Sequence, residues 1–285
     1  MGILETQNIV VISDTHCGCK LALYPKKPVK LDEGGAYRQS PLQRKLWGMW
    51  ENFWEEFVPH ATRGEPYCVV HNGDAIDGVH HNSTSQISHD LGDQSRIAYE
   101  CLAPIVEKCE GRYFHIRGTE AHVGKSGREE EALAEKLGAI PNSLGQYARY
   151  DLWKQIGESR LVHLLHHIGT TGSQAYEATA VGKELTEELI ESARWGRKIP
   201  DICARSHRHR YIGIQMAKQD ISEKHDTGML WSFTTPCWQG KTSFAWKIAG
   251  ARLSTPQFGG VIIRWSDDEL FIRPRVWTVD RSRTE

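Results

Sequence analysis

Asn8-Ile9-Val10-Val11-Ile12-Ser13-Asp14-Thr15-His16-Cys17-Gly18 is the stretch that orients the rest of the chain. The apolar run reads as a buried strand, and it delivers an aspartate and a histidine two residues apart at its C-terminal end. In an extended chain, residues i and i+2 face the same way. Asp14 and His16 can therefore converge on one cation. A lone D-x-H says little; its weight comes from further clusters of Asp, Glu and His at the ends of later apolar runs.

Net charge is −1 over 285 residues, which excludes generic adhesion to nucleic acid or anionic membrane. Two stretches are locally basic: Lys20–Lys45, with seven basic and two acidic residues, and Arg194–Arg210, with six and one. The chain is 39% apolar and 25% charged, and at this length a fold buries roughly three quarters of the unfolded surface. No apolar run approaches the ~20 residues that span a bilayer, so no membrane partner is expected. The start is polar and leads straight into a strand. The seven cysteines are scattered without paired spacing. A reduced, cytoplasmic setting, bacterial or phage, is expected.

Short apolar strands alternate with helical patterns, the mark of an α/β architecture. Strands are expected at Asn8–Ser13, Tyr67–Asn72, Tyr113–Arg117, Leu161–His166 and Ile199–Arg205, then at Tyr211–Gln215, Leu230–Thr234, Gly260–Trp265 and Leu270–Val276. The last four have no helices between them and read as a second, largely antiparallel sheet. Helices are expected over Pro41–Phe57, Asp93–Cys109, Arg128–Leu137 and Lys183–Trp195, each with apolar residues three or four apart. We expect one domain over 1–285, with an irregular insertion at about 20–40 and a β-rich late part at about 211–280. The insertion follows the D-x-H, so it reads either as a solvated loop or as a rim of the site. Trp231, Trp238 and Trp246 in the late part are expected to pack in the core or at its edge.

The second cluster is Asn72-Gly73-Asp74-Ala75-Ile76-Asp77-Gly78. Gly73 permits a sharp turn, Asp74 then stands at the strand end with two oxygens that can bridge two cations, and Asp77 suits orienting a ligand or the loop. His80 and His81 follow. The third is Arg117-Gly118-Thr119-Glu120-Ala121-His122, the fourth His166-His167, and the fifth Ser206-His207-Arg208-His209, again with an i, i+2 histidine pair. Ligands in open α/β sheets bind beyond the carboxyl ends of the strands. Imidazole and carboxylate donors without thiolate suit Mn, Fe or Zn. One catalytic metal needs only about three protein ligands, so the surplus implies two divalent metals sharing a carboxylate.

D-x-H, G-D-x-x-D, a third strand-end motif, a strand-end His and H-x-H together resemble the calcineurin-like metallophosphoesterases over nearly the whole chain. The resemblance implies two packed mixed β-sheets flanked by helices, a four-layer sandwich. It implies that Asp14, His16 and His209 bind one metal, that His207 binds the other, and that Asp74 bridges them. It also implies a phosphate ester substrate, hydrolysed by in-line attack of a metal-bridging hydroxide. Two departures from the pattern matter for the ligand set. Where the family has G-N-H-[D/E], this chain has Gly118-Thr119-Glu120-Ala121-His122; Glu120, or else Thr119, is then the oxygen ligand and His122 keeps the catalytic acid role. His166-His167 stands where one ligand is needed, with His166 favoured. Ser206 replaces the usual Gly of the last motif. Arg117, Lys125, Arg128 and Arg208 are candidates for phosphate contact. The basic stretches favour a phosphodiesterase acting on a nucleotide or nucleic acid, with manganese among the candidate metals. A phosphomonoesterase, a protein phosphatase and a catalytically degenerate metal- or phosphate-binding module are the alternatives.

Overall fold

The computed structural model describes residues 6–157, 160–169, 174–219, 227–243, 245, 255–266 and 270–277. The expectation for Trp246 falls outside them. β1 (Asn8–Ile12), β4 (Tyr67–Asn72) and β5 (Tyr113–Ile116) are all buried apolar runs that pair in parallel, Val10 with Val69 and Val70 with Phe114. β6 (Ala148–Arg149) extends that sheet on one side. β12 (Phe258–Trp265) and β13 (Leu270–Trp277) extend it on the other, in the order β13-β12-β1-β4-β5-β6. The second sheet has the order β10-β11-β9-β8-β7. It is built from β7 (Asp151–Ile156), β8 (Arg160–Leu165), β9 (Ile202–Arg205), β10 (Ile212–Gln219) and β11 (Thr227–Thr234). Both sheets are mixed. β8 and β11 flank β9 in parallel, while β7 and β10 run antiparallel at the edges.

The two sheets face each other. Ile9, Val11, Val70 and Phe114 from the first interdigitate with Val162, Leu164, Ile202 and Phe233 from the second in one buried cluster. On the outer face of the first sheet, Val10, Ile12 and Val69 pack under α1 (Pro41–Asn52), α3 (Leu91–Lys108) and α5 (Arg128–Lys136). On the outer face of the second, Cys203 and Leu230 pack under Leu185 of α6 (Glu177–Trp195). Helix, sheet, sheet and helix form the expected four layers.

The late strands are the main correction to the sequence reading. β10 and β11 do join the second sheet, but β12 and β13 join the first, where Val10 of β1 faces Ile262. The helix expected over Pro41–Phe57 is longer and has a defect. α1 begins at a capping box, Ser40 with Gln43, and passes through a π-helical turn at Phe53–Phe57 into α2 (Val58–Thr62). Pro59 supplies no N–H, and the wider turn before it absorbs the missing bond. The insertion is mixed, with Lys26–Pro28 and Asp32–Ala36 exposed to solvent and other parts tied into the fold. Leu23, Tyr24 and Val29 are buried in the core, and β2 (Val29–Lys30) with β3 (Ala36–Tyr37) forms a small hairpin beside α3. Trp238 is fully buried against Trp50, their rings 4.8 Å apart.

Candidate metal centre

The loops after β1, β4, β5, β8, β9 and β11 meet at one end of the sandwich. After β1 and β4 the chain stays paired beyond the strands: Asp14 N–H donates to Gly73 O at 2.9 Å and His16 N–H to Asp74 O at 3.1 Å. Ser206 N–H donates to His166 O at 3.0 Å, joining the β8 and β9 loops. Asn72 crosses between the sheets, its Nδ2 donating to Leu165 O at 3.1 Å and to Ser206 Oγ at 2.7 Å. Ser206 Oγ also accepts from Thr235 Oγ1 at 2.8 Å. The serine that replaces the usual glycine therefore has a partner from each side.

Each central carboxylate has one oxygen committed to the protein and one facing imidazoles. Asp14 Oδ2 accepts from Ser13 Oγ at 2.5 Å and from His207 N–H at 3.3 Å. Its Oδ1 lies 3.2 Å from His209 Nε2 and 3.8 Å from His16 Nε2. Asp74 Oδ1 accepts from Thr119 N–H at 2.7 Å. Its Oδ2 lies 3.0 Å from His166 Nε2, 3.8 Å from His122 Nε2 and 4.0 Å from His207 Nδ1. His166 donates its Nδ1–H to Asn72 O at 2.6 Å, which aims the lone pair of Nε2 at Asp74.

Asp14, His16 and His209 form one group whose ligand atoms lie within 4.8 Å of one another; Asp74, His166 and His207 form another, and His16, Asp74 and His122 a third. These groups can hold metal ions. Asp14 Oδ1 and His166 Nε2 are buried and form no well-aligned hydrogen bond, their polar neighbours being the facing ligand atoms His209 Nε2 at 3.2 Å and Asp74 Oδ2 at 3.0 Å, an arrangement that a shared cation or proton would satisfy. That donor set, all carboxylate and imidazole, fits borderline or hard divalent cations.

The backbone is strained here. Asp14, His16, Asp74, His207 and His209 all have positive φ, between 41° and 70°. Such conformations cost of order 1–3 kcal/mol each and persist where the surroundings over-determine them. Close approach fixes two glycines. A Cβ on Gly73 would stand 2.3 Å from the His166 ring, and one on Gly118 would stand 2.0 Å from Asp74 Oδ1.

The electrostatics favour added positive charge. Burial alone would raise the Asp14 and Asp74 carboxyls, yet the imidazoles around them hold both well below the usual carboxylate range. Burial alone would lower His16 and His166, yet Asp14 and Asp77 raise the first, and Asp74 the second, to about 9. The field that draws protons to these rings would also stabilise a divalent cation.

The remaining expected residues fall into distinct places. Glu120 is exposed in the first turn of α4 (Glu120–Val123), at the cavity wall, and is in none of the groups above. Thr119 is the residue brought to Asp74, because the chain turns into the helix one position earlier than an oxygen ligand at Glu120 requires. His122 packs edge-on to His16, with ring centroids 4.4 Å apart, and its Nδ1–H donates to Asp77 O at 2.5 Å. Burial lowers it to about 4, partly offset by Asp74. Asp77 is buried and lies 3.4 Å from His16 Nδ1, so it orients that ring. Gln86 and Gln239 hold Asp77 in turn, donating at 2.8 and 2.9 Å. His167 is exposed and lines the cavity beside His207.

Arg117 is occupied structurally, by Ala148 O at 2.7 Å and Glu131 at 3.1 Å. Lys125 and Arg128 are exposed and are not among the cavity-lining residues. Arg208 lines the cavity, donating to Gly169 O. Of the basic run, Arg205 is buried between Glu184 and Glu188 of α6, and Arg210 is paired with Glu177. No residue of Lys20–Lys45 is among those lining the cavity.

Sequence reasoning missed Asn72, Gln86, Glu130, Thr235 and Gln239. The strand-end position of Thr235–Gln239 was a usable signal, but those residues carry no charge or imidazole. The cavity over the centre has a volume of about 700 Å³, with His16, His122, His207 and His209 on its wall together with His80 and Lys241.

No family model matches the chain, and no curated protein does. Solved structures resemble it at low identity, three of them as follows. Thermotoga maritima protein TM1076 is 9% identical, with 95% of this chain and 100% of that one covered and a TM-score of 0.36. Vacuolar protein sorting 29 of Cryptosporidium parvum is 11% identical over 95% and 98%, at 0.37. Thermus thermophilus sulfate thiohydrolase SoxB is 12% identical over 95% and 56%, at 0.36. Two packed mixed sheets, with the D-x-H, G-D-x-x-D, strand-end His and H-x-H residues gathered at one end, form the arrangement expected from the chain's resemblance to the calcineurin-like metallophosphoesterases.

Proposed function

We propose that the chain is a dinuclear metal-dependent phosphoesterase acting on phosphodiesters of nucleotide size. The observation that carries this reading is Asp74, whose Oδ2 faces His166, His122 and His207 while Thr119 ties its sister oxygen, and which joins both His166 with His207 and His16 with His122 in groups able to hold a cation. Asp14, His16 and His209 would hold one cation, His166 and His207 the other, and Asp74 would be shared. Bound there, two cations supply charge neutralisation at the phosphoryl group and activation of water for in-line attack.

The chain's own residues complete the site. Asp77 fixes His16, and Asn72 fixes the tautomer of His166. His122 is held with its Nδ1 proton on the Asp77 carbonyl and its Nε2 toward Asp74. As the leaving-group acid it must take up a second proton, which burial disfavours and an adjacent phosphoryl anion favours. Arg208, which lines the cavity, would contact a phosphoryl oxygen. The cavity volume of about 700 Å³ lies within the ~300–1,000 Å³ usual for small-ligand sites and leaves room for groups on both sides of a diester. The Lys20–Lys45 stretch packs elsewhere, so the case for long nucleic acid weakens relative to a nucleotide or a short strand.

A substrate panel of an aryl monoester, a bis-aryl diester, a cyclic nucleotide, and single- and double-stranded DNA tests this, with Mn²⁺ added or chelated. Faster hydrolysis of the diester and cyclic nucleotide supports the reading; hydrolysis of the monoester alone refutes the substrate class. Thr119 in place of the family's asparagine favours one other reading, a metal-binding module without turnover, and that reading predicts no chelator-sensitive hydrolysis of any member of the panel.

A further inference from the structure

We propose that Glu130 is a positioning residue of the metal centre, a buried carboxylate that locks the Asp74 loop to the Gly118–Thr119 loop and so sets where Asp74 presents Oδ2. The inference rests on the two-cation reading above. Glu130 stands in the first turn of α5 and is fully buried. Its Oε1 accepts from Ala75 N–H at 3.1 Å, and its Oε2 accepts from Gly118 N–H at 2.7 Å. A buried carboxylate is costly unless it is well bonded, and here main-chain donors from two ligand-bearing loops satisfy it.

Those two donors locate Asp74 twice over. Ala75 follows Asp74 directly, so one bond fixes the backbone from which the carboxylate projects. Gly118 precedes Thr119, whose N–H holds Asp74 Oδ1 at 2.7 Å. The second bond therefore fixes the donor that orients the carboxylate. Where the family's amide is absent, this main-chain contact from Thr119 orients Asp74, and it depends on the loop keeping its place.

A buried network continues from Glu130 beneath the site. His115 Nε2 lies 3.2 Å from Glu130 Oε1, and His115 Nδ1 is bonded to Tyr113 OH at 2.8 Å. His71 stacks on His115 with centroids 4.9 Å apart, and its Nε2 meets Thr15 Oγ1 at 3.1 Å, between Asp14 and His16. The neighbouring Glu131 is used differently, accepting from Tyr147 and Ala148 N–H and from Arg117. Adjacent glutamates at this helix start thus divide their work, Glu130 holding the two ligand-bearing loops and Glu131 holding Arg117 and the Tyr147–Ala148 main chain.

Glu130→Gln keeps the volume and one acceptor, and Glu130→Ala removes both. Leu133→Ala, in the buried face of the same helix, controls for loss of stability. Chelator-treated proteins are titrated with Mn²⁺ by calorimetry, with metal content checked by mass spectrometry and folding by circular dichroism. Wild type binds two ions. In Glu130→Gln the affinity for the first ion holds within about threefold, and that for the second falls about 10- to 100-fold, the scale of lost ligand support. Glu130→Ala loses more, and Leu133→Ala changes neither. If folded Glu130→Gln binds both ions as wild type does, or if Leu133→Ala weakens the second ion equally, the positioning role is wrong while the two-cation reading stands. If wild type binds fewer than two ions, the two-cation reading fails, and this inference with it.

Discussion

Asp74→Asn exchanges one carboxylate oxygen for an amide nitrogen and leaves the size of the side chain unchanged. The carbonyl oxygen of the amide can still accept from Thr119 N–H, now 2.7 Å from Asp74 Oδ1, so the loop keeps its main tie. What disappears is the charge on Oδ2, the atom that faces His166, His122 and His207 at 3.0, 3.8 and 4.0 Å. Two unit charges about 4 Å apart interact by about 4 kcal/mol at an effective dielectric of ~20, and a divalent ion doubles that to about 8. If the amide dipole and water recover two thirds, about 2.7 kcal/mol is lost, or ~10²-fold in affinity. Calorimetric titration of the chelator-treated variant with Mn²⁺ measures this directly, with circular dichroism reporting the fold. Wild-type stoichiometry and affinity in a folded Asp74→Asn protein would refute the assignment of Asp74 as the shared ligand.

His122→Ala keeps metal content and lowers kcat by at least ~10²-fold, the usual scale of general acid–base help; steady-state kinetics on a bis-aryl phosphodiester, with metal analysis alongside, checks both. Gly118→Ala places a Cβ 2.0 Å from Asp74 Oδ1 and 2.4 Å from its backbone nitrogen. It is expected to cost about 1–3 kcal/mol by overpacking and to weaken metal binding, read from urea unfolding and Mn²⁺ titration. Glu188 is bonded to His163 and to Arg205. Burial would raise its carboxyl, but these partners hold it below the ordinary 4.5. Its stabilising contribution is therefore complete above that value and lost as pH falls through the lower folded value. Melting temperatures between about pH 3 and 6 should fall less steeply for Glu188→Gln than for wild type, and parallel curves would count against the pairing.

The residues easiest to read were those whose chemistry clashes with their surroundings in the chain. Asp14, His16, Asp74 and His166 end continuous apolar runs, and such runs have few reasons to stop at an ionisable group other than a site. Sheet membership was harder. β12 and β13 have the same local pattern as β10 and β11, and only pairing across some 250 positions, Val10 with Ile262, assigns them to the first sheet. β7 went unread because Lys154 occupies a buried position in the alternation of Leu152 and Ile156, so its apolar face looked broken.

Neutral residues at the site were hidden for a different reason. Asn72, Thr235 and Gln239 act through hydrogen bonds that nothing in their spacing announces. Glu130 is one of three consecutive glutamates in the first turn of α5, a pattern that complements the helix dipole and by itself marks none of them as buried. The basic run Arg194–Arg210 is partly neutralised within the fold, although Arg208 and Arg210 line the cavity. Glu177, Glu184 and Glu188 recur at helical spacing on α6 and neutralise Arg210 and Arg205. That periodicity was visible in the sequence, but which basic residues it served depended on α6 lying across the second sheet.

The most direct test of the account is hydrolysis of a bis-aryl phosphodiester by the purified protein after chelation and after reloading with Mn²⁺, with bound metal counted in the same samples. The account predicts negligible turnover without metal and turnover that rises with the second ion bound per chain. Equal turnover in the chelated and reloaded protein, or full loading with no turnover of any phosphate ester, would contradict it.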